Sequence, residues 1–144
     1  MRVAVMLVKY VTKSMTNFGE DLTLGRNYVV FGVAMGIKPS GDTNGLRFLL
    51  REDHEGPGVL YFDASLFEVV DDKIPPDFIL NLKPVNGLKY MLEVVHHQLG
   101  GTSDLYDRVN DRDEDAIAEL LSIERTIISQ MNYETFFPSF NVAR

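Results

Sequence analysis

The chain has 144 residues, 45% of them hydrophobic and 24% charged, with no cysteine and a formal net charge of −7. That composition argues against a disordered chain, and the absence of thiols excludes disulfides, thiolate zinc sites and cysteine nucleophiles. The negative sign, with no basic run anywhere, opposes nucleic-acid binding, whose free energy comes from lysine and arginine displacing counterions, so a charged partner should be basic.

Arg2 to Tyr10 reads as an opening strand. Its apolar block, Val3 to Val8, is shorter than the core of a signal peptide, and no apolar run approaches the roughly twenty residues of a membrane helix. A cytoplasmic protein without membrane contact is therefore expected. Residues 11–24 form a connection rich in Ser, Thr, Asn and Gly. Asn27 to Met35, Leu46 to Arg51 and Val59 to Phe62 have strand composition, and turn-forming residues at 38–45 and 54–58 separate them. Such short spacing predicts an antiparallel meander, because a parallel pair needs a crossover of a dozen or more residues. Ser65 to Val70 supplies a turn and a last strand, after which Pro75 and Pro76 remove two ladder donors. The opening strand should join this meander in a sheet of about five strands that curls on itself.

Beyond Pro84 the hydrophobic period changes. Leu88, Met91, Leu92, Val95 and Leu99 recur at spacings of three and four, which predicts an amphipathic helix over 88–99 with Gly100 and Gly101 as its C-terminal cap. Thr102, Ser103 and Asp104 offer an N-cap to a short helical turn carrying Leu105, Tyr106 and Val109. Ile117, Leu120, Leu121, Ile127, Ile128 and Met131 form the stripe of a further helix, led by acids that the helix dipole favours. The tail Tyr133 to Arg144 holds Phe136, Phe137 and Phe140, which are too apolar to stay in water and should dock on the rest of the chain. The expected fold is α+β and one domain over 1–144: an antiparallel, partly closed β-barrel over about 1–80, a helical part over about 85–132, and the aromatic tail 133–144.

The residues from Leu22 to Val33, in the order Leu-x-Leu-Gly-Arg-x-Tyr-x-Val-x-Gly-Val, precede a further strand and then Leu66-Phe67-Glu68-Val69-Val70 with Asp72-x-Ile74-Pro75. This order resembles that of small bacterial immunity proteins, which neutralise a toxin domain delivered between competing cells, as in contact-dependent growth inhibition. The resemblance covers roughly the first half of the chain and implies a stoichiometric protein-protein inhibitor of a basic toxin domain, with no catalytic residue and no cofactor. The same elements would serve any small barrel of Src-homology-3-like type, and a regulatory interaction module is the alternative. Homo-oligomerisation is left open.

Charge is concentrated toward the C-terminal half. Between Asp104 and Glu124, eight acids stand against Arg108 and Arg112, a net of −6. A surface of this sign would steer a basic nuclease domain into contact, and Tyr106 would be its aromatic anchor. Asp104, Tyr106, Asp107, Asp111, Asp113, Glu114, Asp115 and Glu119 are the candidate partner-binding residues. A solvated helix face is the plainer account of the same charges.

Other motifs fall short of chemistry. His96 and His97, adjacent on a helix, would point about 100° apart and not converge on one metal ion; a helix-surface or capping role is expected for them. His54 reads as a solvated turn residue. Asp111 to Asp115 begins like a calcium loop but has Ala116 where the turn needs glycine and Ser122 where the ion needs glutamate. Gly32-Val33-Ala34-Met35-Gly36 lacks the Lys-Ser/Thr of a phosphate loop, and Gly19, Gly25 and Gly32 are too dispersed for a dinucleotide fingerprint. Ser65 and Ser103 have no sequence-evident base, and Asp71-Asp72 is too ordinary a carboxylate pair to assign catalysis. No metal site is expected.

Overall fold

A computed structural model describes residues 6–12, 22–53, 58–100 and 103–129. His54, Met131 and the phenylalanines of the 133–144 tail lie outside the described residues. The architecture is α+β, with two antiparallel sheets followed by two helices. One sheet has the order β2-β1-β6, from β1 (Met6–Tyr10), β2 (Asn27–Val29) and β6 (Phe67–Asp72). The other has the order β5-β4-β3-β8-β7, from β3 (Gly32–Ile37), β4 (Thr43–Arg51), β5 (Val59–Asp63), β7 (Phe78–Val85) and β8 (Leu88–His96). Helices α1 (Leu105–Asn110) and α2 (Glu114–Ser129) follow. No closed barrel is found among the described residues, and none of their helices is long and apolar enough to cross a membrane.

The run expected as one strand over Asn27 to Met35 is two. Val30 donates its N–H to Met6 O in the smaller sheet, while Phe31 donates to Leu49 O in the larger. The chain therefore changes sheets at two fully buried residues, Val30 and Phe31. It changes back through a 3₁₀ turn at Ala64–Leu66, whose start is capped by the Asp63 carboxylate. Between the sheets Phe67 meets Tyr10, Phe48 and Phe62, with ring centroids 5.5 to 6.5 Å apart. The meander β3-β4-β5 is antiparallel as expected, but the opening strand does not join it in one sheet: the chain switches sheets at Val30–Phe31 and at the 3₁₀ turn, so β1 pairs with β2 and β6 in the smaller sheet.

Two expectations are corrected. Ser65 to Val70 does not supply the last strand, because β7 and β8 form a hairpin after it. The predicted helix over 88–99 is instead β8, paired on one side with β3 and on the other with β7. Its apolar spacing fits a helix only because the strand buries groups on both faces: Val95 toward the helices, and His96 on the opposite side. The local signal that separates the readings is Asn86-Gly87, a hairpin dipeptide with Gly87 at φ 86°. Gly100 is not a helix cap; it rests on the sheet, where an added Cβ would collide with Val95 Cγ1.

The helices cover one face of the larger sheet and are tied to it by polar contacts. Arg51 Nε reaches both Glu124 oxygens at 3.0 and 2.9 Å, and its Nη2 lies 2.9 Å from Oε1. The Asn110 amide donates to Val59 O and accepts from Val59 N, both at 2.9 Å, filling the ladder positions that edge strand β5 would otherwise leave open. Just past the same end of β4, Asp53 gathers Arg26 Nη1 at 2.8 Å and the Tyr28 hydroxyl at 2.8 Å.

Arg51 and Glu124 have side chains only 12% and 8% exposed, so removing one partner strands a charge. Glu124→Ala should cost about 3 kcal/mol in denaturant unfolding, whereas pairing Glu124→Leu with Arg51→Met should recover most of that loss.

Candidate functional site

The expected partner-binding residues separate into groups. Asp104, Asp107, Asp111, Glu114, Asp115 and Glu119 are exposed. Asp104, Asp107 and Asp111 recur at spacings of three and four and so share the outer face of α1, opposite the buried Leu105 and Val109. Asp113 instead serves the fold, because its Oδ1 accepts the N–H groups of Asp115 and Ala116 as the N-cap of α2. Its Oδ2 binds Arg108 Nε at 3.0 Å, and the guanidinium holds the Asp113 carboxyl below its ordinary range. Arg108 also pairs with Asp104 at 3.5 Å. Tyr106 does not stand among the surface charges; it is half-buried, packs on the core and lines a cavity.

That cavity follows from the register of the larger sheet. Cross-strand partners share a face, so Asp63, Arg47, Ala34, Glu93 and Asn81 form one row across five strands. The next row is Tyr61, Leu49, Gly32, Val95 and Ile79. On this face β3 presents Gly32, Ala34 and Gly36, which leave a trough between the taller side chains of β4 and β8. Val95 closes the trough over Gly32, and Asn44 closes it over Gly36 by accepting its N–H at 2.7 Å. Between these closures lies the cavity, with Ala34, itself only 4% exposed, and Gly36 in its lining. Leu99, Gly100, Ser103 and Tyr106 also line it, and its volume is about 440 Å³.

Glu93 is the buried charge of this cavity, its side chain 12% exposed. The Tyr61 hydroxyl donates to Oε2 at 2.9 Å, while Asn81 Nδ2 and Lys83 Nζ approach Oε1 at 3.4 and 3.5 Å. Burial, and then the Glu93 charge, push the Tyr61 phenol well above its ordinary value, so it acts as a hydrogen-bond donor. Burial likewise raises Tyr106. Ser103 Oγ is engaged, donating to Gln98 O at 2.6 Å and accepting from Leu105 N at 3.2 Å.

Arg47, Tyr61 and Lys83 are not singled out by the sequence reading. The signal that could have found them is the alternation of small residues at 32, 34 and 36, which on a strand marks one face and not a loop.

The histidine pair also departs from expectation, because it sits at a strand end. The His96 and His97 rings stack 4.7 Å apart, and with Asp77 they place ligand-type atoms within 4.8 Å of one another. Hydrogen bonding accounts for the cluster. Gln98 N–H donates to His96 Nδ1 at 3.1 Å, so the ring proton resides on Nε2, which donates to Asp77 Oδ2 at 3.2 Å. A metal on Nε2 would move that proton to Nδ1, against the Gln98 donor. His97 Nδ1 lies 3.2 Å from Asp77 O.

No protein-family model matches the chain, and searches of curated proteins and of solved structures return no match.

Burial lowers the His96 pKa, with Asp77 opposing and His97 assisting the shift. The unfolded chain therefore takes up a proton near pH 6.5 before the native one does, and stability is complete above that pH and falls below it. The lowered carboxylates Asp63 and Asp113 act only below about pH 3.8. Unfolding free energy measured from pH 7.5 down to 4.5 should decline in the wild type, and His96→Gln should remove much of that slope.

Proposed function

We propose that the chain is an immunity protein, which binds a basic toxin domain, a nuclease above all, in the cytoplasm and occludes it stoichiometrically. The observation that carries this reading is the exposed acidic surface on α1, the interhelical corner and α2. Asp107, Asp111, Glu114, Asp115 and Glu119 project outward there, while Arg108 is consumed by Asp104 and Asp113. Exposed Arg112 offsets part of this charge, but a surface with a large excess of one sign speeds encounter with an oppositely charged partner and selects among partners more than it deepens affinity.

The residue pattern of the first half supports the same reading. Its Arg26 and Tyr28 meet on Asp53, and its Leu66 to Val70 run turns the chain from one sheet into the other. Within this reading the β part is a partly closed barrel of Src-homology-3-like type, its corners at Val30–Phe31 and at the 3₁₀ turn.

Co-expression with the toxin domain encoded beside it should rescue growth, and failure to rescue would refute the function. Replacing Asp107, Asp111, Glu114 and Asp115 by Lys, with the capping Asp113 left intact, should slow association about tenfold or more at low salt. An unchanged on-rate in stopped-flow mixing would place the interface elsewhere.

A further inference from the structure

The cavity over Ala34 has a charge arrangement that toxin binding through the helices does not use. Arg47 and Glu93 both pair with Ala34, from β4 on one side and β8 on the other. Their backbones lie roughly 10 Å apart across a floor that rises no higher than a methyl group. Arg47 makes no hydrogen bond or ion pair within 4 Å among the described residues; it is exposed, and the anion that feels its charge is its cross-strand partner Asp63. Glu93 is deep, and the cation beside it is loosely held: Lys83 is 56% exposed and 3.5 Å away. A carboxylate fixed by Tyr61 and neutralised only by a solvated ammonium is accessible to an incoming cation. The enclosed volume, about 440 Å³, is in the range of small-molecule sites, and Leu49, Met91 and Leu99 provide apolar wall.

We propose that this cavity binds a small zwitterion, with its ammonium or guanidinium on Glu93, its apolar stem across Ala34, and its carboxylate on Arg47. The entering cation displaces Lys83 into solvent. The site meets the acidic surface at one residue, Asp107, which also lines the cavity, and Asp107 is left unchanged in the test below.

The test uses 6-aminohexanoate, with hexanoate and hexylamine as singly charged controls, added to the isotopically labelled full chain and followed by amide chemical shifts. Saturable binding of 6-aminohexanoate is expected, with shifts centred on Gly36, Glu93 and Tyr106, and with both controls weaker. Glu93→Gln keeps an acceptor for Tyr61 and should weaken binding about tenfold or more, as should Arg47→Gln. Lys83→Ala should bind equally or more tightly, a result that a merely structural Glu93 would not produce. Ala34→Val fills the floor without altering charge and should abolish binding while the amide spectrum stays folded. The proposal is overturned if no saturable shift occurs with the wild type, if either control binds as tightly as the zwitterion, or if both Glu93→Gln and Arg47→Gln leave affinity unchanged.

Discussion

The architecture turns on how little side chain β3 presents to the helices. A central strand normally lends bulk to both faces of its sheet, but Gly32, Ala34 and Gly36 place a single methyl group on one of them. The neighbouring elements have to compensate. Val95 leans over Gly32 so closely that an added Cβ would lie 2.9 Å from its Cγ2, and the backbone at Gly100 settles onto Val95 in turn. Asn44 folds over Gly36 and takes up its N–H. The cavity is what these closures leave, with Ala34, Gly36 and Asn44 in its lining.

The polar contacts sort by the same geometry. Where the helices lie tight on the sheet, charges are paired and backbone groups satisfied: Arg51 with Glu124, and the Val59 peptide with the Asn110 amide. Where the roof stands away from the sheet, Glu93 keeps a partly wet partner and Arg47 reaches toward solvent. The outer surface of the helices carries the remaining acidic charge. The helical part thus has opposed charges, Arg47 and Glu93, on the sheet beneath its inner side and acidic charge on the outer side, where its field reaches into solvent.

Much of the β organisation was legible in the sequence, because β-branched runs broken by Gly, Pro and Asn announce strands and turns locally. The meander, the strand from Phe67 and the acidic helix start are all signals of this kind. Leu88 to Leu99 misleads for a physical reason. Apolar residues three and four apart describe a helical stripe, yet they also describe a strand whose two faces are both partly covered, and only its partners separate the two. Val30 and Phe31 mislead similarly, since a run of extended residues carries no mark of where its hydrogen bonds pass from one sheet to another. Adjacent histidines diverge on a helix, whereas at the end of β8 the rings of His96 and His97 stack.

The sequence by itself determined the balance of charge, the absence of thiol chemistry, the strand-rich first half and the amphipathic α2, all of which depend on residue type and near-neighbour spacing. Tertiary structure decided which strands pair, and therefore which side chains face one another. Asp113 and Asp111 look alike in the chain, but one caps a helix and the other meets solvent. Arg47, Ala34 and Glu93 are separated by 13 and 59 residues along the chain, and only antiparallel register sets them in one row. Hydrogen bonds between distant strands carry that information, and no local pattern encodes them.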